Sequence, residues 1–209
     1  MEKHPVTGNL LTISAPSGGG KTSLVRALIE RRPMLTVSVS HTTRPMRPGE
    51  VEGVNYHFVD EASFIEARDD GEFFEWAEVY GHFYGTAKTE VAERRNTGCD
   101  VIMEIDWQGA RQVKMAHAES RSIFILPPSI AALEDRLTSR GQDQRQTIDR
   151  RMAEARSEMQ HWSDADFLVL NDDFERALSE LETIADSLRL GRDYQSRNLS
   201  RILHELTHE

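Results

Sequence analysis

The chain has 209 residues, 38% of them apolar, and a formal net charge of −10. That length suits one domain with a real core, and no stretch approaches eighteen consecutive apolar residues, which excludes a membrane-spanning helix. The acidic balance argues against a nucleic-acid polymer as partner, because binding a phosphate backbone needs a broad basic face. The single cysteine, Cys99, excludes an internal disulfide, and Met1 to Pro5 is polar with no signal-peptide apolar stretch. A cytoplasmic protein is therefore expected.

The apolar run Leu10-Leu11-Thr12-Ile13 predicts a buried strand, and Ser23 to Ile29 has helical spacing. Between them stands Ser14-Ala15-Pro16-Ser17-Gly18-Gly19-Gly20-Lys21-Thr22. A strand, a glycine turn and a helix N-terminus in that order form a phosphate cradle. Backbone N–H groups converge on the anion, and the positive end of the helix dipole lies behind it. Lys21 would reach the outer phosphates, and the Thr22 hydroxyl would ligate Mg²⁺. The strict pattern has glycine where Ala15 stands, but the strand–turn–helix context keeps the match. A turn that merely caps a helix is the bland alternative.

The first helix should run to about Arg32, before Pro33, and Thr36 to Ser40 predicts a strand. Residues 41–54 hold Arg44-Pro45-Met46-Arg47-Pro48-Gly49, too proline-rich for regular structure. Residues 55–86 carry most of the aromatic side chains and read as short strands with a helix from Glu61 to about Asp70, a small appendage on the core. The core resumes with a helix over Thr89–Asn96, a strand over Asp100–Asp106, a helix over Gln108–Ala116 and a strand over Ser122–Leu126. Helices follow over Ile130–Thr138 and Gln144–Trp162, then a strand over Asp166–Asn171 and a helix over Phe174–Leu190. Strands alternating with helices predict an α/β fold with a parallel sheet covered by helices. The tail from Gly191 is polar, with a short helical pattern at Leu199-Ile202-Leu203-Leu206.

Several side chains carry candidate chemistry. Glu104 and Asp106 end an apolar strand, where a phosphate-loop fold places its metal-organising carboxylate. Asp106 also precedes a helix and could simply cap it. Arg44 and Arg47 suit bidentate grip of a dianionic phosphate, although a solvated surface pair is the commoner fate of loop arginines. Glu75 lies within Phe73-Phe74-Glu75-Trp76. A carboxylate among aromatics needs a partner, and guanine offers adjacent N1–H and 2-amino donors where adenine offers none. A solvent-facing glutamate at a strand edge fits that stretch equally well. Between Arg140 and Arg156 five arginines face three acids, a local excess of +2 in an acidic chain. His204-Glu205-Leu206-Thr207-His208 matches the zinc-protease pattern, but only Glu209 follows and no third ligand can come after it.

Together these stretches resemble the guanylate kinases, closest to the bacterial type, over residues 8–190. The likeness is carried by the phosphate loop, Ser38-Val39-Ser40-His41-Thr42-Thr43-Arg44-Pro45, Pro48-Gly49-Glu50, Gly53 with Tyr56, Phe74-Glu75, Tyr84-Gly85-Thr86, Ile105-Asp106 with Gln108-Gly109, and Asn171-Asp172-Asp173. The resemblance implies a P-loop NTPase core (8–39 and 88–190) with a parallel five-stranded sheet. It adds a small mixed α/β GMP-binding part (40–87), a helical lid (139–152) and a helical tail (191–209). It implies ATP contacts from Ala15, Pro16, Ser17, Gly18, Gly19, Gly20, Lys21, Thr22 and Asn171. The GMP phosphate would fall to Arg44, Arg47, Tyr56 and Tyr84, and guanine to Ser40, Glu75 and Thr86. Lys21, Arg44, Arg140 and Arg151 would be catalytic, and Thr22 and Asp106 would hold Mg²⁺. Glu104 stands where many relatives have aspartate, so its share of metal or GMP contacts stays open. The implied reaction is ATP + GMP = ADP + GDP, with small-molecule partners, no membrane, and a homo-oligomer left open. A non-catalytic guanylate-kinase-like interaction module would resemble this chain but usually has a degraded phosphate loop. A phosphoryl transferase for another small acceptor would not need Glu75 and Ser40.

Overall fold

A computed structural model describes residues 7–139 and 145–208. Five parallel strands form the central sheet: β1 (Leu10–Ser14), β2 (Leu35–Val37), β7 (Asp100–Glu104), β8 (Arg121–Leu126) and β9 (Phe167–Leu170), in the order β2-β7-β1-β8-β9. β1 lies at the centre, paired with β7 on one side and β8 on the other. Its five residues are all buried, as a strand covered on both faces must be. Alternate residues feed two cores. Leu11 and Ile13 pack with Leu24, Val25 and Leu28 of α1 (Lys21–Arg31) and with Leu178 and Leu181 of α7 (Phe174–Leu190). Leu10 and its neighbours Val101 and Met103 pack with Val91 of α3 (Lys88–Asn96) and Val113 of α4 (Trp107–Ala116). The strand order reverses beside β1, so the crevice for a ligand opens at its carboxyl end, where the glycine loop begins.

The aromatic-rich stretch forms a second sheet. β3 (His41–Thr42), β4 (His57–Phe58), β5 (Phe73–Val79) and β6 (His82–Ala87) pair in the order β4-β3-β6-β5, with α2 (Glu61–Asp69) packed alongside. Asp60 caps α2 by accepting from the Ser63 N–H at 2.9 Å. Phe64 of α2 is buried and stacks on Phe73 and Phe83. The free edge of β5 docks on the core through Gln112 of α4. Its amide accepts from Trp76 N–H at 3.2 Å and donates to Trp76 O at 2.6 Å, so a side chain completes what another strand would. α5 (Ile130–Ser139) and α6 (Arg145–Met159) share a third cluster, Leu133, Leu137, Ile148, Met152 and Ala155.

Two expected elements are shorter than their sequence suggests. The strand predicted over Thr36–Ser40 ends at Val37, because the Val39 N–H turns away to the Glu90 carboxylate of α3 at 3.1 Å. The helix predicted to Trp162 stops at Met159 and tightens into a 3-10 turn, Gln160–Asp164. The tail forms α8 (Arg192–Asn198) and α9 (Ser200–Thr207), with no buried residue in either. His204 and His208 stack at the exposed end of α9 with ring centres 4.4 Å apart. No helix among the described residues is long and apolar enough to cross a membrane.

Candidate active site

β1 delivers the chain into Ala15–Gly20, and α1 begins at Lys21. Gly20 has φ +94, and a Cβ there would lie 2.3 Å from the Asn171 side-chain nitrogen; only glycine fits. That nitrogen donates to Gly19 O at 2.8 Å, and the Arg136 guanidinium donates to Gly19 O at 3.4 Å and to Asn171 O at 2.8 Å. The Gly19 carbonyl is thus held from behind, while the Gly19 N–H closes on Pro16 O at 2.8 Å within the loop. Lys21 Nζ donates to Ile105 O at 2.9 Å, just beyond the end of β7. The Thr22 hydroxyl donates to the Glu104 carboxylate, so the first turn of α1 meets the end of β7. Asp106 caps α4 by accepting from Gly109 N–H at 2.9 Å, and its second oxygen accepts from Gln108 Nε2 at 3.0 Å. Its two sequence readings, cap and cleft carboxylate, are therefore not exclusive.

The opposite wall belongs to the second sheet. Glu75 is only 4% exposed, and burial pushes its carboxyl up to about 7, with the nearby Asp106 charge adding to the rise. The Thr86 hydroxyl opposes that shift by donating to Glu75 at 2.7 Å, and Ser40 Oγ lies 2.9 Å from the same hydroxyl. Three polar side chains from three segments thus form one hydrogen-bonded chain, with Glu75 and Thr86 buried and Ser40 half-buried. α4 approaches so closely that a Cβ on Gly109 would lie 2.4 Å from Glu75 Oε2. Arg44 is also buried, and Glu50 grips its guanidinium in a two-point ion pair at 2.7 and 3.0 Å. Glu50 also accepts from the Arg47 N–H at 2.7 Å, which fixes the proline-rich loop around the guanidinium. Tyr56 and Tyr84 meet edge to face with centroids 5.8 Å apart, and Arg44 lies over Tyr56 at 5.4 Å. Burial and the Glu104 charge push the Tyr56 hydroxyl up to about 12, so it stays a donor.

Both walls face one cleft of about 290 Å³. It is lined by Ala15 to Thr22 on one side and by Ser40, Arg47, Tyr56, Glu75 and Tyr84 on the other, with Glu104, Asp106 and Arg151 between. The guanylate kinase family model matches residues 7–188, most of the chain. The chain belongs to the guanylate kinase family. It is 52% identical over 200 residues to a guanylate kinase of Pseudomonas fluorescens, covering 96% of this chain and 97% of that one. It is 50% identical over 204 residues to a guanylate kinase of Vibrio cholerae, covering 97% of this chain and 99% of that one. The crystal structure of guanylate kinase from Anaplasma phagocytophilum superposes with a TM-score of 0.76 at 31% identity, over 90% of this chain and 89% of that one.

Against this guanylate kinase fold the expected site residues fall into three groups. Ala15 to Thr22, Ser40, Arg47, Tyr56, Glu75, Tyr84, Glu104, Asp106 and Arg151 line the cleft directly. Arg44, Thr86 and Asn171 stand one layer back, reaching it through Tyr56, Glu75 and Gly19. Arg140 lies outside the described residues. Sequence reasoning missed Arg136, Tyr80 and Glu158. Gly109 was legible only within a matched motif. Arg136 and Glu158 are unremarkable charges on helical faces, and no local pattern marks them; only tertiary packing brings them to the loop.

Proposed function

We propose that the chain transfers the γ-phosphoryl group of ATP to GMP, giving ADP and GDP. One observation carries this reading: a glycine phosphate loop and a buried, hydroxyl-tethered carboxylate share a single cleft. The loop provides the donor's triphosphate with backbone N–H groups and the Lys21 ammonium. Glu75 accepts the guanine N1–H and 2-amino donors, with Ser40 and Thr86 completing the base edge. Arg47, Tyr56 and Tyr84 hold the acceptor phosphate, and Glu50 keeps Arg44 aligned behind them. Adenine offers Glu75 no adjacent donor pair and would leave it only the Thr86 hydroxyl as partner, a penalty that disfavours adenine. The intact loop favours a catalyst over an interaction module of the same fold.

The donor set of Thr22 hydroxyl, Glu104 and Asp106 is all oxygen, which fits Mg²⁺, a hard cation that takes one or two carboxylates plus substrate phosphates. When bound, Mg²⁺ supplies charge neutralisation on the phosphates. Little proton transfer is needed, because the attacking oxygen of GMP is already ionised. Lys21, Arg44, Arg140 and Arg151 therefore act by alignment and by stabilising charge on the transferring group. Residues 40–87 serve as the acceptor part, 139–152 (of which 140–144 lie outside the described residues) as a lid that excludes water, and 8–39 with 88–190 as the core. The single cysteine and the bacterial relatives support a cytoplasmic setting.

A coupled assay for ADP release tests the reading. Turnover should be strong with GMP and at least about a hundredfold lower with AMP or UMP, the scale of penalty for leaving a buried polar group unpaired. Equal rates with AMP would remove the guanine assignment.

A further inference from the structure

The phosphate loop already holds an anion. Glu158, near the end of α6, accepts from the Ser17 N–H at 3.0 Å and lines the cleft alongside Lys21 and Asp106. Its carboxylate faces the Lys21 ammonium as attraction and Asp106 and Glu154 as repulsion. Arg151 of the same helix lines the same cleft. The third party is Tyr80. It forms the tip of the β5–β6 hairpin with Gly81, both at positive φ (55 and 75), a turn in which a bulky residue is strained. That strain presents the Tyr80 ring to Ser17, Glu154 and Glu158, with the Arg150 guanidinium 6.0 Å from the ring centre. Strained non-glycine turns persist where the surroundings hold them, often at functional sites. Loop, α6 and acceptor sheet therefore meet at Ser17, whose N–H goes to Glu158 and whose side chain pairs with Tyr80.

We propose that Glu158 is a positioning residue: its carboxylate occupies the phosphate-loop amide of Ser17 until the terminal phosphate of ATP displaces it. The proposal rests on the reading of Ala15–Thr22 as the donor site. A terminal phosphate and a carboxylate cannot both use one N–H, and like charges at that spacing repel. Displacement frees α6 from the loop as the donor arrives, so arginine-bearing α6 is released only when there is phosphate for it to engage. ATP binding then carries a fixed cost, because only the fraction of molecules with Glu158 swung away can accept it. Acceptor binding, on the Glu75 side, carries none. Burial raises the Glu158 carboxyl above its ordinary range, with Asp106 adding to the rise and the Ser17 N–H and Lys21 opposing it, which agrees with a charge held against the local field.

Calorimetry of the full chain with Mg·ATP alone, and separately with GMP alone, tests this. Glu158→Gln keeps the shape and removes the charge; Glu158→Ala removes the contact. Both should bind Mg·ATP more tightly, by about tenfold if nine molecules in ten hold the contact, with GMP binding within twofold of the parent. A purely structural brace predicts the opposite, weaker binding of both nucleotides with a lower melting temperature. Unchanged or weaker Mg·ATP binding in both variants overturns the proposal. If the parent fails to bind Mg·ATP, or Lys21→Ala binds it as well as the parent does, the phosphate-loop reading itself is lost and the proposal with it.

Discussion

The donor side of the cleft is one unbroken stretch, Ala15 to Thr22, whereas the acceptor side draws Ser40, Glu75, Thr86 and Glu104 from four separate segments. In the proposed reading, the donor side recognises charge with backbone N–H groups and one ammonium, a device that any sequence with the right turns can supply. In the same reading, the acceptor side recognises a hydrogen-bond pattern with a carboxylate that must be buried to be selective, and burial needs the whole second sheet. Selectivity for a base is thus costlier in structure than affinity for a phosphate. Each side should fail in its own way when damaged.

The largest effect is expected on the donor side. Lys21→Ala should lower kcat by about a thousandfold, the scale of losing a group aimed at transition-state charge, with circular dichroism unchanged. Turnover near that of the parent would mean the loop does not hold the triphosphate. On the acceptor side, Glu75→Gln should weaken GMP by about 2 to 3 kcal/mol while ATP affinity stays put, because the amide presents a donor where guanine also donates. Equal losses for both nucleotides would erase the contrast between the walls.

A smaller effect sharpens the acceptor side alone. With its carboxyl at about 7, Glu75 is mostly protonated at pH 6 and mostly ionised at pH 8. Only the carboxylate accepts both guanine donors, so affinity rises as pH rises through the folded value. Guanosine, which has no phosphate to titrate, should bind about tenfold more tightly at pH 8 than at pH 6. Glu75→Gln should flatten that dependence, and a slope that survives the substitution would assign it to another group. The mildest change expected is Asn171→Ala. It removes one hydrogen bond to Gly19 O, worth about 1 kcal/mol, and should raise the KM for ATP about fivefold while leaving that for GMP alone. A matching rise for GMP would show that Asn171 steadies the whole core rather than the loop.

Strand and helix positions were largely legible, because apolar period and breakers act locally. Leu10–Ser14 and Phe174–Leu190 match their patterns closely. The exceptions have tertiary causes: the β-branched run after Leu35 would have continued as strand had Glu90 not taken the Val39 amide. Of the site, contiguous motifs were readable. Glu75 by composition alone could have faced solvent; its burial follows from α4 docking on β5 through Gln112 and Gly109.

The sequence by itself determined the phosphate loop, the order of strands and helices, and the family, since each is written in neighbouring residues. Tertiary structure alone decided that Glu75 is buried against Thr86, that Arg44 is clasped by Glu50, and that Glu158 meets Ser17 from 141 positions away. The reason is physical. Backbone geometry and hydrophobic period depend on nearest neighbours, but burial and ion pairing depend on which surfaces finally touch.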